Sequence, residues 1–237
     1  MDHPGRFITL EGLDGCGKST QLELLGNFLR EHGQDVGRAV VMTREPGGTP
    51  VGQKIREVLL HASFDTAAEP ITPLTELSLM FAARAQHIEH IILPALRRGD
   101  IVLCDRFTDS SIAYQGYGRG VPLDAIRALE KILCQGLRPD LTLILDINVA
   151  TSIERTAIRN RKAQQPDTRF EQEGVQFFER VREGYLAIAR EEPQRIRILD
   201  GSLTIEQLHQ AVRQAVEELL KCSPGGSGDR AGGGRGI

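Results

Sequence analysis

Tryptophan is absent from this 237-residue chain, and aromatic side chains account for only 5% of it. Packing must therefore rest on aliphatic residues. A surplus of basic charge is also missing: the formal net charge is −3. A dedicated nucleic-acid binder is normally basic, so no nucleic-acid partner is expected. A nucleotide ligand is untouched by this argument, because it needs only a local positive pocket. Cysteine is scarce and scattered, at positions 16, 104, 134 and 222, with no CxxC spacing and no histidine cluster nearby. That pattern excludes a disulfide framework or a cysteine-based metal site and points to reduced thiols. No apolar run approaches the length of a membrane span, and Met1 to Arg6 is polar without the plan of a signal peptide. A cytoplasmic protein with no membrane partner is the expectation.

What is present is ordinary for a globular domain: 40% hydrophobic and 26% charged residues. The length suits one mid-sized domain. Arg6 to Glu11 reads as a buried strand, followed by a glycine-rich loop and a helix over Lys18 to His32. Further strands are predicted at Ala39–Thr43, Ile101–Cys104, Leu141–Ile147 and Arg195–Leu199. Helices are predicted at Val51–His61, Leu74–Arg97, Leu123–Cys134, Glu173–Arg190 and Thr204–Leu220, with a basic helix and loop over Ser152–Arg169. Five strands alternating with helices make an α/β fold with a parallel sheet. Ser223 to Ile237 holds seven glycines and almost nothing apolar. It is expected to be a disordered tail on a domain covering residues 1–222.

Gly12-Leu13-Asp14-Gly15-Cys16-Gly17-Lys18-Ser19 fits GxxxxGK[ST], with Thr20 next in the helix. Phosphate oxygens must be met by several backbone N–H groups at once, and glycines let the chain curl tightly enough to supply them. The helix that follows adds its positive N-terminal end. Lys18 reaches the outer phosphates, and the Ser19 hydroxyl suits Mg²⁺. The preceding apolar strand and the following amphipathic helix supply the context of a P-loop. A nucleoside triphosphate such as ATP is the implied ligand, but the loop leaves the reaction open.

A second anion site is suggested in three places. Arg44, with Glu45 and Pro46, follows the second strand, where ligands of open α/β sheets bind. An arginine there could grip a phosphate bidentately or make a surface ion pair. Asp105 closes an apolar strand, as a Walker B carboxylate does, and Arg106 follows it. Asp105 could instead cap a helix, and Asp146, closing another strand, is a rival for Mg²⁺. Phe81 and Arg84 are three apart on the long helix. They could stack on and bond to a base, although spacing alone favours core packing for Phe81. Arg155, Arg159, Arg161, Lys162 and Arg169 crowd one short stretch. They form either a solvated face or a lid, at about 155–170, that brings a cation to a transferring phosphoryl group.

These pieces together resemble bacterial thymidylate kinases. FITLEGLDGCGKST, TREPGGT, LMFAARAQH, DRFTDSSIAYQGYGRG, RPDLTLILD and DTRFE stand in the family's order across residues 6–171. The resemblance implies a P-loop NTPase fold and phosphoryl transfer from ATP to dTMP. It implies that Phe81 stacks on thymine and Arg84 bonds its O4. Arg44 and Arg106, with Arg56 nearby, hold the acceptor phosphate, and Asp14 faces the acceptor's 3′-hydroxyl. Tyr114 crowds the sugar C2′, and Ser111 and Gln115 lie along the base. The P-loop carries no arginine, so Arg159, with Arg161 as second choice, becomes the expected catalytic cation beside Lys18. The family is homodimeric, and a dimer through the long helix is the corresponding expectation.

Overall fold

The computed structural model describes residues 3–32, 38–61, 70–163 and 169–221. The expected tail, Cys222 and the middle of the lid lie outside these residues. Five strands form one all-parallel sheet: β1 (Arg6–Glu11), β2 (Val40–Arg44), β3 (Ile101–Asp105), β4 (Leu141–Asp146) and β5 (Ile196–Asp200), in the order β2-β3-β1-β4-β5. All six residues of β1 are buried. A strand covered on both faces has no solvent side, so its apolar residues Phe7, Ile8 and Leu10 point to both layers, and its buried polar residues Thr9 and Glu11 are hydrogen-bonded. Phe7 faces one layer and Ile8 and Leu10 the other, following the two-residue period of a strand.

One layer is built from α3 (Pro73–His87), α4 (Leu93–Arg98) and α6 (Leu123–Leu133), packed on Phe7, Val102 and Cys104. The opposite layer is built from α1 (Lys18–His32) and α9 (Ile205–Lys221), packed on Ile8, Leu10, Leu103 and Leu143. The remaining helices are α2 (Pro50–His61), α5 (Thr108–Ser111), α7 (Val149–Ala163) and α8 (Val175–Glu191). The parallel register brings Leu10 beside Asp105 and Arg44 beside Asp105. The carboxyl ends of β1, β2 and β3 thus share one edge of the sheet, where ligands of such folds bind.

The helix predicted over Leu74–Arg97 is divided. Thr72 caps its start by accepting from the Thr75 amide, and α3 runs to His87. A π-helical stretch, Ile88–Ile92, intervenes before α4, and the Leu93 amide bonds to the Ile88 carbonyl five residues back. Pro94 gives the reason. It has no N–H for the carbonyl of His90, and its ring would strike that carbonyl in a regular α-helix. A widened turn relieves the clash without breaking the rod. Gly99, left-handed at φ 90°, ends α4.

A second π-helical stretch, Ile112–Gly118, extends α5 and was not predicted. Small and polar residues, Ser110, Ser111, Gly116 and Gly118 among them, stand where an apolar stripe would be, so periodicity gives no helical signal there. Helix α8 packs along this stretch at very close range. A Cβ on Gly118 would lie 2.6 Å from Phe177, and one on Gly184 would lie 2.9 Å from Tyr117. The two glycines let the elements approach, and that approach fixes which side chains of the stretch reach the site.

Candidate active site

The loop after β1 turns through three glycines at positive φ: Gly12 at 128°, Gly15 at 74° and Gly17 at 99°. A side chain at these angles is strained, so the glycines are what the turn requires. At Gly12 a Cβ would also sit 2.5 Å from the Leu145 carbonyl oxygen. Helix α1 opens at Lys18, whose Nζ donates to the carbonyls of Gly12 (3.1 Å) and Leu13 (2.9 Å). Cys16 is buried beneath the loop, 3.6 Å from the same amine. Ser19 Oγ donates to Asp105 Oδ2 at 3.5 Å. The other carboxylate oxygen, Asp105 Oδ1, is buried and meets no hydrogen-bond donor among the described residues. Asp146, the rival carboxylate, is bound by both ends of Arg182 at 2.6 and 2.7 Å. The described residues contain no group of three acidic, histidine or cysteine ligands. A hydroxyl and an orphaned carboxylate oxygen at the mouth of the loop fit Mg²⁺, which keeps few protein ligands and takes its remaining ones from water and substrate phosphates.

In front of the loop lies a cavity of about 810 Å³. Asp14, Gly15, Gly17, Lys18, Ser19 and Thr20 line one side. Gly12, Leu13 and Cys16 support the loop from behind. Arg44, Glu45, Pro46, Arg56, Arg84 and Arg106 line the other side. Arg106 is the hub. Its backbone is left-handed at φ 70°. One terminal nitrogen donates to Ser110 Oγ (3.1 Å) and Tyr185 Oη (2.9 Å), the other to Asp14 Oδ1 (2.8 Å) and Tyr114 Oη (3.2 Å). Its guanidinium also lies 4.9 Å from the Tyr114 ring centre. Burial pushes the Asp14 carboxyl up, but Arg106 and Lys18 outweigh that and hold it down at about 2. Arg56 donates to the Pro46 carbonyl at 3.0 Å, and burial together with neighbouring Arg44 lowers its pKa. The Arg44 side chain has no hydrogen bond or ion pair among the described residues. Two neighbouring guanidinium groups, one of them unpaired, make a well for an anion.

Behind Arg106 sits Glu11, at the end of β1. It accepts from the Phe107 amide (2.7 Å), Ser110 Oγ (2.6 Å) and Tyr185 Oη (2.9 Å). Burial, and then Asp109, raise its pKa to about 7 against the opposing pull of Arg106, Ser110 and Phe107. The ordinary value is 4.5. The folded protein therefore holds a proton that the unfolded chain has released, and stability falls as pH rises between these two values. The contribution is fully present below pH 4.5 and is lost as pH passes about 7. Thermal unfolding at pH 5 and pH 8 should show a wild-type midpoint that drops over this range. In Glu11→Gln the drop should be mostly abolished, and equal drops in both proteins would refute the assignment.

The cavity wall that carries Arg84 corrects one expectation. Phe81 does not line it: the ring is 0% exposed, in the core against Leu77 and Phe107, with Arg84 Cζ 4.7 Å from its centre. Met80 lines the cavity instead. Residues one apart on a helix point about 100° apart, and the residue four before Arg84 shares its open face. A spacing of four, not three, was the legible signal. Arg84 Nε donates to Glu45 Oε2 (2.7 Å), and its terminal nitrogens donate to Ser111 Oγ and the Phe107 carbonyl, both at 3.0 Å. Glu45 also meets His87 Nδ1 at 2.9 Å. Burial raises the Glu45 pKa, but Arg84 and His87 outweigh it and lower the net value. Ser111, Tyr114 and Gln115 line the same wall.

The lid side is partly described. Arg155, Arg159, Asn160, Phe170 and Glu171 line the cavity, and all but the first two were missed from sequence as site residues. Arg159 pairs with Glu171 at 2.6 Å. Arg161 is exposed, donates to the Ala157 carbonyl and does not reach the cavity.

With this geometry established, likeness to known proteins is specific. A family model for thymidylate kinase matches residues 10–212. Thymidylate kinase of Alkalilimnicola ehrlichii is 52% identical over 216 residues, covering 91% of this chain and 92% of that protein. That of Ectopseudomonas mendocina is 49% identical over 221 residues, covering 93% and 99%. The crystal structure of thymidylate kinase from Ehrlichia chaffeensis superposes with a TM-score of 0.68 at 34% identity, covering 90% of this chain and 98% of that one. A P-loop facing an arginine-lined wall, on a sheet shared with that structure and in a sequence matched almost end to end, means that the chain belongs to the thymidylate kinase family.

Proposed function

We propose that this protein transfers the γ-phosphoryl group of ATP to dTMP, yielding dTDP and ADP. The observation that carries the reading is a single cavity in which a P-loop faces a buried, fully oriented Arg106 with Arg44 and Arg56 beside it. Donor triphosphate belongs on the loop, from Gly12 to Thr20. The acceptor belongs opposite, its phosphate on Arg106 and Arg44, its sugar against Tyr114 and Asp14, and its base between Met80, Arg84, Ser111 and Gln115. Glu45 and Pro46 serve indirectly, Glu45 by orienting Arg84 and Pro46 by anchoring Arg56. Ser19 and Asp105 would hold Mg²⁺, which supplies charge neutralisation between the outer phosphates.

Phosphoryl transfer needs little covalent help from the protein. The acceptor phosphate is already largely ionised near neutral pH, so its oxygen attacks without a general base. The chain instead aligns the two phosphates and neutralises them. Arg106 and Arg44 draw the acceptor in, and Lys18, released from the loop carbonyls, bridges the transferring group. Arg159, entering from the lid, offsets charge that develops on the equatorial oxygens. Closure over Phe170 and Glu171 excludes water that would otherwise hydrolyse ATP. A nucleoside acceptor would need a free carboxylate base, and Glu45 is occupied by Arg84 and His87.

Residues 1–222 form the kinase domain in this reading, acting in the cytoplasm as a homodimer through the α3–α4 rod. The buried free thiols Cys16, Cys104 and Cys134 support a reducing compartment. A coupled assay with ATP, Mg²⁺ and a panel of nucleoside monophosphates tests the activity. dTMP should exceed dCMP and UMP in kcat/KM by at least about 100-fold. Equal use of the three would sink the thymidylate assignment.

A further inference from the structure

Glu76 lies outside the cavity, on the first turn of α3, and is 0% exposed. Its carboxylate takes hydrogen bonds from three distant places. Arg119 Nε donates to both oxygens, at 3.4 and 3.2 Å, and Arg169, at the far end of the basic stretch, donates to Oε2. The third donor is Gln115 Nε2, at 2.8 Å from Oε1. Nothing in phosphoryl transfer asks for a buried acid here, and Arg119 and Arg169 would pair equally well with an exposed one.

The consequence falls on Gln115. A side-chain amide has a donor end and an acceptor end, and a site that reads a base must fix which end faces it. A carboxylate between two guanidinium groups offers only acceptors, so the amide nitrogen of Gln115 must turn toward Glu76. The amide oxygen then turns away. Gln115 lines the cavity, and its Oε1 meets no donor among the described residues, yet it is not one of the sealed, unsatisfied oxygens. It opens on the cavity. On the same wall, each terminal nitrogen of Arg84 uses one N–H on Ser111 or Phe107 and keeps a second.

We infer that Glu76 is a positioning residue for base selection: it locks the Gln115 carboxamide with its oxygen toward the base, creating an acceptor next to the Arg84 donor. The inference rests on the thymidylate reading and deepens it. Thymine and uracil present a carbonyl acceptor at C4 and a donor at N3–H, complementary to this pair. Cytosine presents the reverse, an amino donor at C4 and an acceptor at N3. Bound against an immobilised amide, cytosine meets oxygen with a lone pair and an N–H with an amino group, leaving polar groups unpaired. If the amide could turn over, the cytosine penalty would shrink. Discrimination therefore depends on a residue that never touches the substrate.

The test measures kcat/KM for dTMP and dCMP in the full-length enzyme. Wild type that fails to prefer dTMP overturns the thymidylate reading itself, and this inference with it. If wild type prefers dTMP, Glu76→Gln is informative, because its own amide can accept or donate and so frees Gln115 to turn. The dTMP-over-dCMP ratio should narrow by at least about tenfold, through a raised KM for dTMP with kcat nearly unchanged. Glu76→Asp keeps the charge for both arginines but withdraws the carboxylate from Nε2, and should narrow the ratio in the same direction. It decides the matter if Glu76→Gln does not fold. Gln115→Met should narrow the ratio too, and adding Glu76→Gln to it should narrow it no further. A folded Glu76 variant with the wild-type ratio, or narrowing that adds in full on the Gln115→Met background, would overturn the inference. A general packing defect would lower both substrates together and leave the ratio where it was.

Discussion

Arg106→Ala should raise KM for dTMP by about 100-fold or more while leaving KM for ATP within about threefold of wild type. Charge-assisted hydrogen bonds are worth roughly 1.5–3 kcal/mol each, and a guanidinium gripping a phosphate makes two. The side chain is already oriented. Four partners hold it: Ser110, Tyr185, Asp14 and Tyr114. Its backbone is left-handed, which costs a non-glycine residue on the order of 1 kcal/mol and persists only where the surroundings insist. Removing the guanidinium also releases Asp14, whose pKa would lose the pull that holds it near 2. Arg106→Lys is the sharper comparison. One ammonium cannot span the Asp14 and Tyr185 sides at once, so lysine should recover less than about a tenth of the lost kcat/KM. Initial-rate kinetics with each substrate varied in turn check this. Unchanged KM for dTMP in Arg106→Ala would remove Arg106 from the acceptor site.

Much of this site is legible in the amino-acid sequence, and the part that is not has a common cause. The P-loop is legible because every requirement is local: a strand, three glycines at positive φ, then a helix. Asp105 and Arg106 are legible for the same reason, since a strand end announces its own position. Glu76 is not. Its partners lie 39, 43 and 93 residues away in sequence, and nothing in its neighbourhood separates it from a surface acid. The same holds for Asp109, buried against Arg195 by a pairing 86 residues apart. Phe81 is the instructive error. Helical spacing alone assigns it to the core, where it is; the family likeness moves it into the base site. The local rule is sound, and the residue facing the cavity, Met80, is its neighbour. The π-helical stretch over Ile112–Gly118 leaves no periodic signal because it is held by tertiary contact with α8 and not by a stripe of its own.

Arg159→Ala should lower kcat by about 100- to 1000-fold with KM for both substrates little changed, whereas Arg161→Ala should stay within about threefold of wild type. The sequence could not separate the two, because both stand on one basic stretch. Position on α7 does: Arg159 lines the cavity and Arg161 turns away to the Ala157 carbonyl. An arginine that acts on the developing charge of the transition state gains most of its interaction only there, so its loss falls on kcat. Glu171 sharpens the expectation. It pairs with Arg159 at 2.6 Å and itself lines the cavity, so phosphates bound there would have to compete with it for the guanidinium. Glu171→Gln should weaken that hold without removing the cation, and its kcat should fall far less than that of Arg159→Ala. Rapid-quench measurement of a single turnover separates the chemical step from product release. If Arg161→Ala, and not Arg159→Ala, slows that step, closure must turn α7 by about half a helical turn, since residues two apart lie roughly 200° apart around the axis.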